Sequence, residues 1–174
     1  MRTLIPLLLL ITVTAQAAGP GKNAVASAHP LATEAGLNIL EQGGNAFDAA
    51  VAVAAALAVV EPYSAGMGGG GVWLLHREQD GLQTFVDARE TAPGAATATM
   101  YQDKDGNVMR DWAVNGPSAA GIPGQAAAFA HLADNYGKLP LTATLAPAIA
   151  LAEKGFRVEA VSYTHLTLPT SSQV

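Results

Sequence analysis

Arg89 is the residue of this sequence whose type and neighbours best suit ligand chemistry. Charged residues make up only 13% of the 174 residues, and Arg89 lies between two of them, Asp87 and Glu90. A guanidinium beside carboxylates serves either as one half of a structural ion pair or as a planar fork that holds a carboxylate ligand. Because arginines near acidic residues are usually only paired with them, these residues alone favour the structural role.

A second candidate is the glycine-rich segment 66–71, with the sequence GMGGGG. Consecutive backbone N–H groups without covering side chains can cradle a phosphate. A nucleotide-binding loop, however, opens a helix and ends in Lys followed by Ser or Thr, whereas this segment leads into the apolar residues 72–75. Two interpretations therefore remain open, a close crossing of two backbones and a wall of a substrate pocket.

Other side chains with chemical potential lack the patterns that catalysis or metal binding needs. The sequence has no cysteine, which excludes disulfides, thiolate metal sites and a thiol nucleophile. Its histidines show no i and i+4 pairing, so they do not predict a metal site; they are His29, His76, His131 and His165. Ser64 lies near the glycines without a Gly-x-Ser-x-Gly elbow and without a base close in sequence, so a serine hydrolase has little support.

The first half of the chain predicts a strand and two helices. Residues 24–28 are typical of a short strand, and an amphipathic helix follows over residues 31–42 until two glycines stop it. Asn45 can cap the next helix while Asp48 lies among the free N–H groups of its first turn. Residues 49–60 are apolar on every side, which predicts a helix enclosed by other elements.

The hairpin and the helices that follow must position Arg89. Residues 72–75 and 82–86 flank an Asp-Gly turn, so Arg89 is expected at the end of the second strand. A helix begins after residues 121–124 and ends at Gly137. A last helix covers residues 142–154, with Pro147 either in its first turn or kinking it. The sequence therefore predicts a mixed α and β fold.

Charge and the N-terminus indicate the compartment and exclude one class of partner. Nine basic and 14 acidic residues give a net charge of −5 without a basic cluster, so nucleic acid is not an expected partner. A basic start, an apolar stretch over residues 4–13 and small residues before position 18 predict a signal peptide over residues 1–17. The apolar stretch is shorter than the roughly 20 residues that span a bilayer. We expect export to the periplasm or the medium, with no membrane attachment after cleavage.

Several segments, taken in order, resemble the opening of the γ-glutamyltranspeptidase family, also called glutathione hydrolase. They are AVASAHPLAT at 24–33, GGNAFDAAVA at 43–52, the glycine-rich segment 66–71, DARETAP at 87–93, GIPG at 121–124 and LAPAIALAEKGF at 145–156. The resemblance assigns residues 18–160 to the N-terminal part of the large subunit of a self-cleaving precursor. It implies a layered αββα fold of the N-terminal-nucleophile hydrolases, incomplete in this chain.

The resemblance also implies a reaction and a role for Arg89. In this family a threonine of the small subunit attacks a γ-glutamyl amide such as glutathione, and the acyl-enzyme passes the γ-glutamyl group to water or to an amino acid or peptide acceptor. No metal or organic cofactor takes part. The arginine that holds the donor α-carboxylate falls on Arg89, which reverses the preference for a structural role.

The family's nucleophile motif, Thr-Thr-His followed by an aromatic or aliphatic residue and Ser, is expected beyond position 174. The chain alone is therefore expected to be inactive and to require the missing small subunit. Thr164 and His165 resemble the motif superficially, but Tyr163 and Thr167 stand where the family has Thr and Ser. Residues 162–174 contain no Asp, Glu, Lys or Arg and do not resemble the polar helical continuation that the family implies, so we interpret 161–174 as a non-native tail.

Two alternative functions stay open at this point. The parent protein is either a γ-glutamyltransferase or a related cephalosporin-acylase-like or poly-γ-glutamate-processing enzyme, because these relatives share the same front motifs. From a different class, the exported chain is a non-catalytic periplasmic protein that binds glutamate or glutathione through Arg89.

Overall fold

Five α-helices and one hairpin make up the described part of the chain. The structure, a computed structural model, describes residues 22–158 and residue 160. The expected signal peptide at residues 1–17 and the expected tail at residues 161–174 lie outside the described residues. The described elements confirm a mixed α and β architecture.

The first two helices begin at side-chain caps. Helix α1 covers Pro30–Glu41, and the Nδ1 atom of His29 accepts a hydrogen bond from the Leu31 N–H at 3.2 Å. Helix α2 covers Ala46–Val60 and begins with a capping box. Asn45 Oδ1 accepts from the N–H groups of Phe47 and Asp48, and the Asp48 carboxylate accepts from the Asn45 N–H at 2.8 Å. The reciprocal bonds satisfy N–H groups that would otherwise lack partners.

The hairpin has the predicted position and turn. Strand β1 covers Gly71–Arg77 and strand β2 covers Leu82–Ala88, paired antiparallel from Gly71 opposite Ala88 to Arg77 opposite Leu82. The Arg77 guanidinium donates two hydrogen bonds, of 3.0 and 2.7 Å, to the Asp80 carboxylate. These hydrogen bonds lower the pKa of Asp80 to about 2. Gly81 has a φ of 69°, which suits glycine at the turn.

Three further helices follow. Helix α3 covers Arg110–Val114 and precedes a 3₁₀ turn at Pro117–Ala119; the sequence patterns did not predict either element. Helix α4 covers Gln125–Asn135 and helix α5 covers Leu141–Lys154, close to the expected bounds. Pro147 is the seventh residue of α5, so it lies inside the helix and not in its first turn.

Helix α2 is the centre of the packing. It contacts α1, α4 and α5, and Val51, Ala52 and Ala56 are at most 1% exposed. The expectation of an enclosed helix is therefore confirmed for the side of α2 that carries these three residues. It does not hold on another side, where Val53 and Leu57 are only half-buried. The inner face of the hairpin packs toward the same core, where the Trp73 ring meets Phe129 of α4 edge-on at 5.9 Å.

The strand predicted at residues 24–28 was wrong. These residues form no strand, since β1 and β2 pair only with each other in the described part of the chain. A strand needs a neighbour that accepts its backbone hydrogen bonds. Instead, the segment lies along the helices, and Val25 packs beside Gly36 of α1 and Val53 of α2.

None of the helices in the described ranges has the length and hydropathy required to cross a membrane.

Candidate functional site

Arg89 is the first residue after β2, at the position where the chain leaves the sheet. Its backbone N–H donates to Asp87 Oδ1 at 2.9 Å, so Asp87 holds the main chain and not the guanidinium. The guanidinium Nη2 lies 3.3 Å from Glu90 Oε2, and 64% of the Arg89 side chain is exposed. A single contact to one nitrogen leaves the other N–H donors of the fork open to a ligand. The location predicted from the sequence is confirmed.

A cavity of about 420 Å³ adjoins Arg89. Apolar groups of β2 and α4 form much of its wall, among them Val86, Ala127 and Ala128, and His131 adds a polar group. Binding sites for small molecules commonly combine apolar walls with a few polar groups that fix orientation. Arg89, whose side chain is largely exposed, lines this cavity, and this combination suits a ligand with a carboxylate and an aliphatic chain.

Three segments that are far apart in sequence meet beside Arg89. Thr91 and Ile122 exchange two backbone hydrogen bonds of 3.1 and 2.8 Å, which join the chain after Arg89 to the segment 121–124. The Gln125 N–H donates to the Gly69 carbonyl at 3.1 Å, which joins the glycine-rich segment to the start of α4. The glycine-rich segment, the end of β2 and the segment before α4 therefore form one unit around Arg89.

Sequence reasoning missed the contribution of α4 to this cavity. His131 lies 42 positions beyond Arg89, and its spacing to the other histidines gave no signal. The helical period of residues 125–135 identified a buried side, but it did not identify the element that this side faces. Tertiary contacts, among them the backbone pairing of Thr91 with Ile122, bring α4 beside the end of β2.

The other candidate residues are placed away from any catalytic arrangement. Ser64 Oγ donates to Glu61 Oε2 at 2.8 Å on the surface, which is a local turn contact. His29 caps α1, and His76 contacts the exposed Glu78. Within the described ranges, no three residues of metal-ligating type lie close enough to hold an ion. Thr164 and His165 lie outside the described residues.

Fold and site together define a mixed α and β protein with a candidate carboxylate site at a strand end. A sequence model of the family described as Gamma-glutamyltranspeptidase matches residues 32–171, and the chain belongs to this family. It is similar to the glutathione hydrolase proenzyme of Pseudomonas sp. (strain A14), with 45% identity over 141 residues, 81% of this chain and 24% of that protein. A second relative is the glutathione hydrolase proenzyme of Escherichia coli K12, 45% identical over 134 residues, 77% of this chain and 23% of that protein.

A solved structure extends the similarity to three dimensions. The chain resembles the Helicobacter pylori γ-glutamyltranspeptidase with a TM-score of 0.76 and 42% sequence identity, over 84% of this chain and 43% of that chain. The family resemblance stated from the sequence motifs is confirmed. The chain spans about a quarter of the length of the two relatives named above.

Proposed function

We propose that this chain is part of a γ-glutamyltransferase, or glutathione hydrolase, in which Arg89 holds the α-carboxylate of the γ-glutamyl donor. The observation that carries the proposal is that Arg89 lines the 420 Å³ cavity and has a side chain that is 64% exposed. Membership of the γ-glutamyltranspeptidase family supports it, as do relatives named glutathione hydrolase proenzyme.

The geometry of an arginine suits this role better than that of a lysine. A planar guanidinium donates two parallel hydrogen bonds to one carboxylate, so it fixes the orientation of the ligand as well as its position. A donor held at its α-carboxylate presents its γ-carbonyl at a fixed distance from a nucleophile. The aliphatic part of a glutamyl group matches the apolar cavity wall around Val86 and Ala128.

In the proposed reaction, the nucleophile is a threonine at the N-terminus of a small subunit of the same precursor. Its own amine takes the hydroxyl proton as the oxygen attacks the γ-carbonyl. The C–N bond breaks, the leaving amine takes the proton, and an ester links the γ-glutamyl group to the threonine. Water or an acceptor amine then releases that group. The chain's share in this scheme is donor binding, without a metal or organic cofactor.

Export and the layered fold belong to the same proposal. The leader-like composition of residues 1–17 supports secretion to the periplasm or the medium. The similarity to the Helicobacter pylori enzyme supports an αββα arrangement that the small subunit completes. N-terminal sequencing of the exported protein tests the first point, with residue 18 expected at the N-terminus.

Calorimetric titration of the 174-residue chain with L-glutamate tests the role of Arg89. We expect binding of L-glutamate and much weaker binding of its α-amide, because the amide removes the carboxylate that the fork would hold. Arg89→Lys should weaken glutamate binding by about tenfold, since hydrogen bonds to charged groups contribute roughly 1.5 to 3 kcal/mol.

The matched control is Arg77→Lys, because Arg77 is already paired with Asp80 in the hairpin turn. This variant should bind L-glutamate as the wild-type chain does. Equal affinities for L-glutamate and its α-amide would contradict the proposal, and so would an unchanged affinity in Arg89→Lys.

A further inference from the structure

Two glycines, 54 positions apart in the sequence, approach the peptide that joins Ala88 to Arg89. A Cβ atom added to Gly70 would lie 2.8 Å from Arg89 Cα and 2.9 Å from the Arg89 carbonyl carbon. A Cβ atom added to Gly124 would lie 2.7 Å from the Ala88 carbonyl carbon and 2.9 Å from the Arg89 carbonyl oxygen. Real Cβ atoms essentially never come within 3.0 Å of such atoms, so neither position accepts alanine without a backbone shift.

The crowding distinguishes Gly70 from its neighbours in the glycine-rich segment. A Cβ on Gly68 would meet nothing within 4 Å, and one on Gly69 would make an ordinary 3.4 Å contact with the Glu90 side chain. The number of glycines therefore does not explain the packing. The close backbone crossing that the sequence left as one interpretation occurs at Gly70, and the backbone it crosses is that of Arg89.

Backbone hydrogen bonds limit how the crowding can be relieved. The Gly69 carbonyl is bonded to the Gln125 N–H, and Thr91 is bonded twice to Ile122. Both glycines and the Ala88–Arg89 peptide are therefore tied to one another by main-chain contacts, with no flexible side chain to move aside. A methyl group at either glycine would displace the Arg89 main chain, and the long side chain would carry that displacement to the guanidinium.

We propose that Gly70 and Gly124 are positioning residues for Arg89. They hold the Ala88–Arg89 peptide and so set the direction in which the guanidinium presents its two parallel donors. This inference rests on the proposed function, in which Arg89 binds a donor carboxylate. Two parallel hydrogen bonds require the fork and the carboxylate to be aligned, and a misplacement of about 1 Å can cost about a hundredfold in rate.

The test compares L-glutamate affinities of alanine variants of the 174-residue chain. Gly70→Ala and Gly124→Ala should each bind L-glutamate about tenfold more weakly, because a displaced guanidinium no longer aligns its two donors with the carboxylate. Gly68→Ala, in the same glycine-rich segment, should keep the wild-type affinity. In the Arg89→Lys background, Gly70→Ala and Gly124→Ala should reduce the affinity for L-glutamate little further, because the effects of groups that act as a unit are not additive.

Gly36→Ala is the control for general destabilisation. A Cβ at Gly36 would lie 2.7 Å from Val53 Cγ2 and 2.9 Å from Val25 Cγ1, in the contact between α1 and α2. This variant should lower the melting temperature and leave the affinity of the folded chain unchanged. If Gly70→Ala and Gly124→Ala behave in the same way, with lower melting temperatures and wild-type affinity, the inference is overturned while the role of Arg89 stands.

Two further outcomes distinguish a failure of the positioning role of Gly70 and Gly124 from a failure of the proposed function of Arg89. If the wild-type chain binds no L-glutamate, the proposed function fails and the inference falls with it. If both alanine variants fail to fold, NMR of the wild-type chain decides. Glutamate should then shift the amide resonances of Arg89, Gly70 and Gly124 and leave that of Gly68 in place, and unshifted Gly70 and Gly124 resonances would overturn the inference.

Discussion

The carboxylate of Asp48 accepts a hydrogen bond of 2.9 Å from the backbone N–H of Lys138, 90 residues further along the chain. Asp48 is 1% exposed, and the same carboxylate completes the capping box of α2 by accepting from the Asn45 N–H. Asn45 reaches the same loop, because its Nδ2 donates to the Tyr136 carbonyl at 2.7 Å. One pair of residues therefore caps α2 and fastens the connection between α4 and α5 to it.

Asp48→Ala should destabilise the chain by about 3 kcal/mol. The substitution leaves the N–H groups of Asn45 and Lys138 without their acceptor, and an unsatisfied buried donor costs roughly 1 to 3 kcal/mol. Urea unfolding followed by circular dichroism measures the change. The control is Asp134→Ala on the exposed side of α4, which should change stability by less than about 0.5 kcal/mol. Equal effects of the two substitutions would contradict the role given to Asp48.

Arg89→Lys should separate donor binding from self-cleavage in the full-length precursor. Lysine keeps the charge and loses the fork, so the donor KM should rise by about tenfold or more, since hydrogen bonds to charged groups contribute roughly 1.5 to 3 kcal/mol. Self-cleavage should survive, because it requires no bound donor carboxylate. Initial rates with a chromogenic γ-glutamyl amide and gel analysis of the subunits measure the two properties. An unchanged KM would return Arg89 to a structural role.

The hairpin turn should lose its ion pair in acid. The hydrogen bonds from Arg77 lower the pKa of Asp80 to about 2, below its ordinary value of about 3.9. A carboxyl with a depressed folded-state pKa stabilises the fold above the unfolded-state pKa, and this contribution is lost as the pH falls toward the folded-state pKa. The window therefore runs from about pH 4 to about pH 2. NMR titration of the Asp80 carboxyl carbon measures it.

Arg77→Gln is the matched variant for that titration. Glutamine removes the positive charge and the two-pronged donor geometry of the guanidinium, so the pKa of Asp80 should rise toward its ordinary value. A midpoint that stays near 2 in Arg77→Gln would show that the cause is not Arg77.

Leu74→Thr should reduce dye binding without lowering stability. Leu74 is 85% exposed on the outer face of the hairpin, directly opposite Phe85, which is 59% exposed. Threonine removes an exposed apolar group and retains a good strand former, so the stability should change by less than about 0.5 kcal/mol. Fluorescence of the dye ANS should fall. Leu75→Thr on the inner face, where Leu75 is 6% exposed, should instead cost about 3 kcal/mol.

The local elements of this chain could be predicted because their causes are local. The Asn45 and Asp48 spacing defines a capping box, and the Asp80-Gly81 turn between apolar runs defines a hairpin. The position of Arg89 at the end of β2 follows from the same pattern. The short strand predicted at residues 24–28 was wrong, because a strand depends on a partner that its own sequence does not specify.

The sequence by itself determined the family, the strand-end position of Arg89 and the capping residues Asn45 and Asp48 of α2. Only the tertiary structure decided that Asp48 also bonds Lys138, that His131 joins the cavity, and that Gly70 alone in its segment is crowded against Arg89. The physical reason is that caps and turns depend on atoms a few residues apart. A cavity wall or a backbone crossing depends instead on which distant segments the packing of the core brings together.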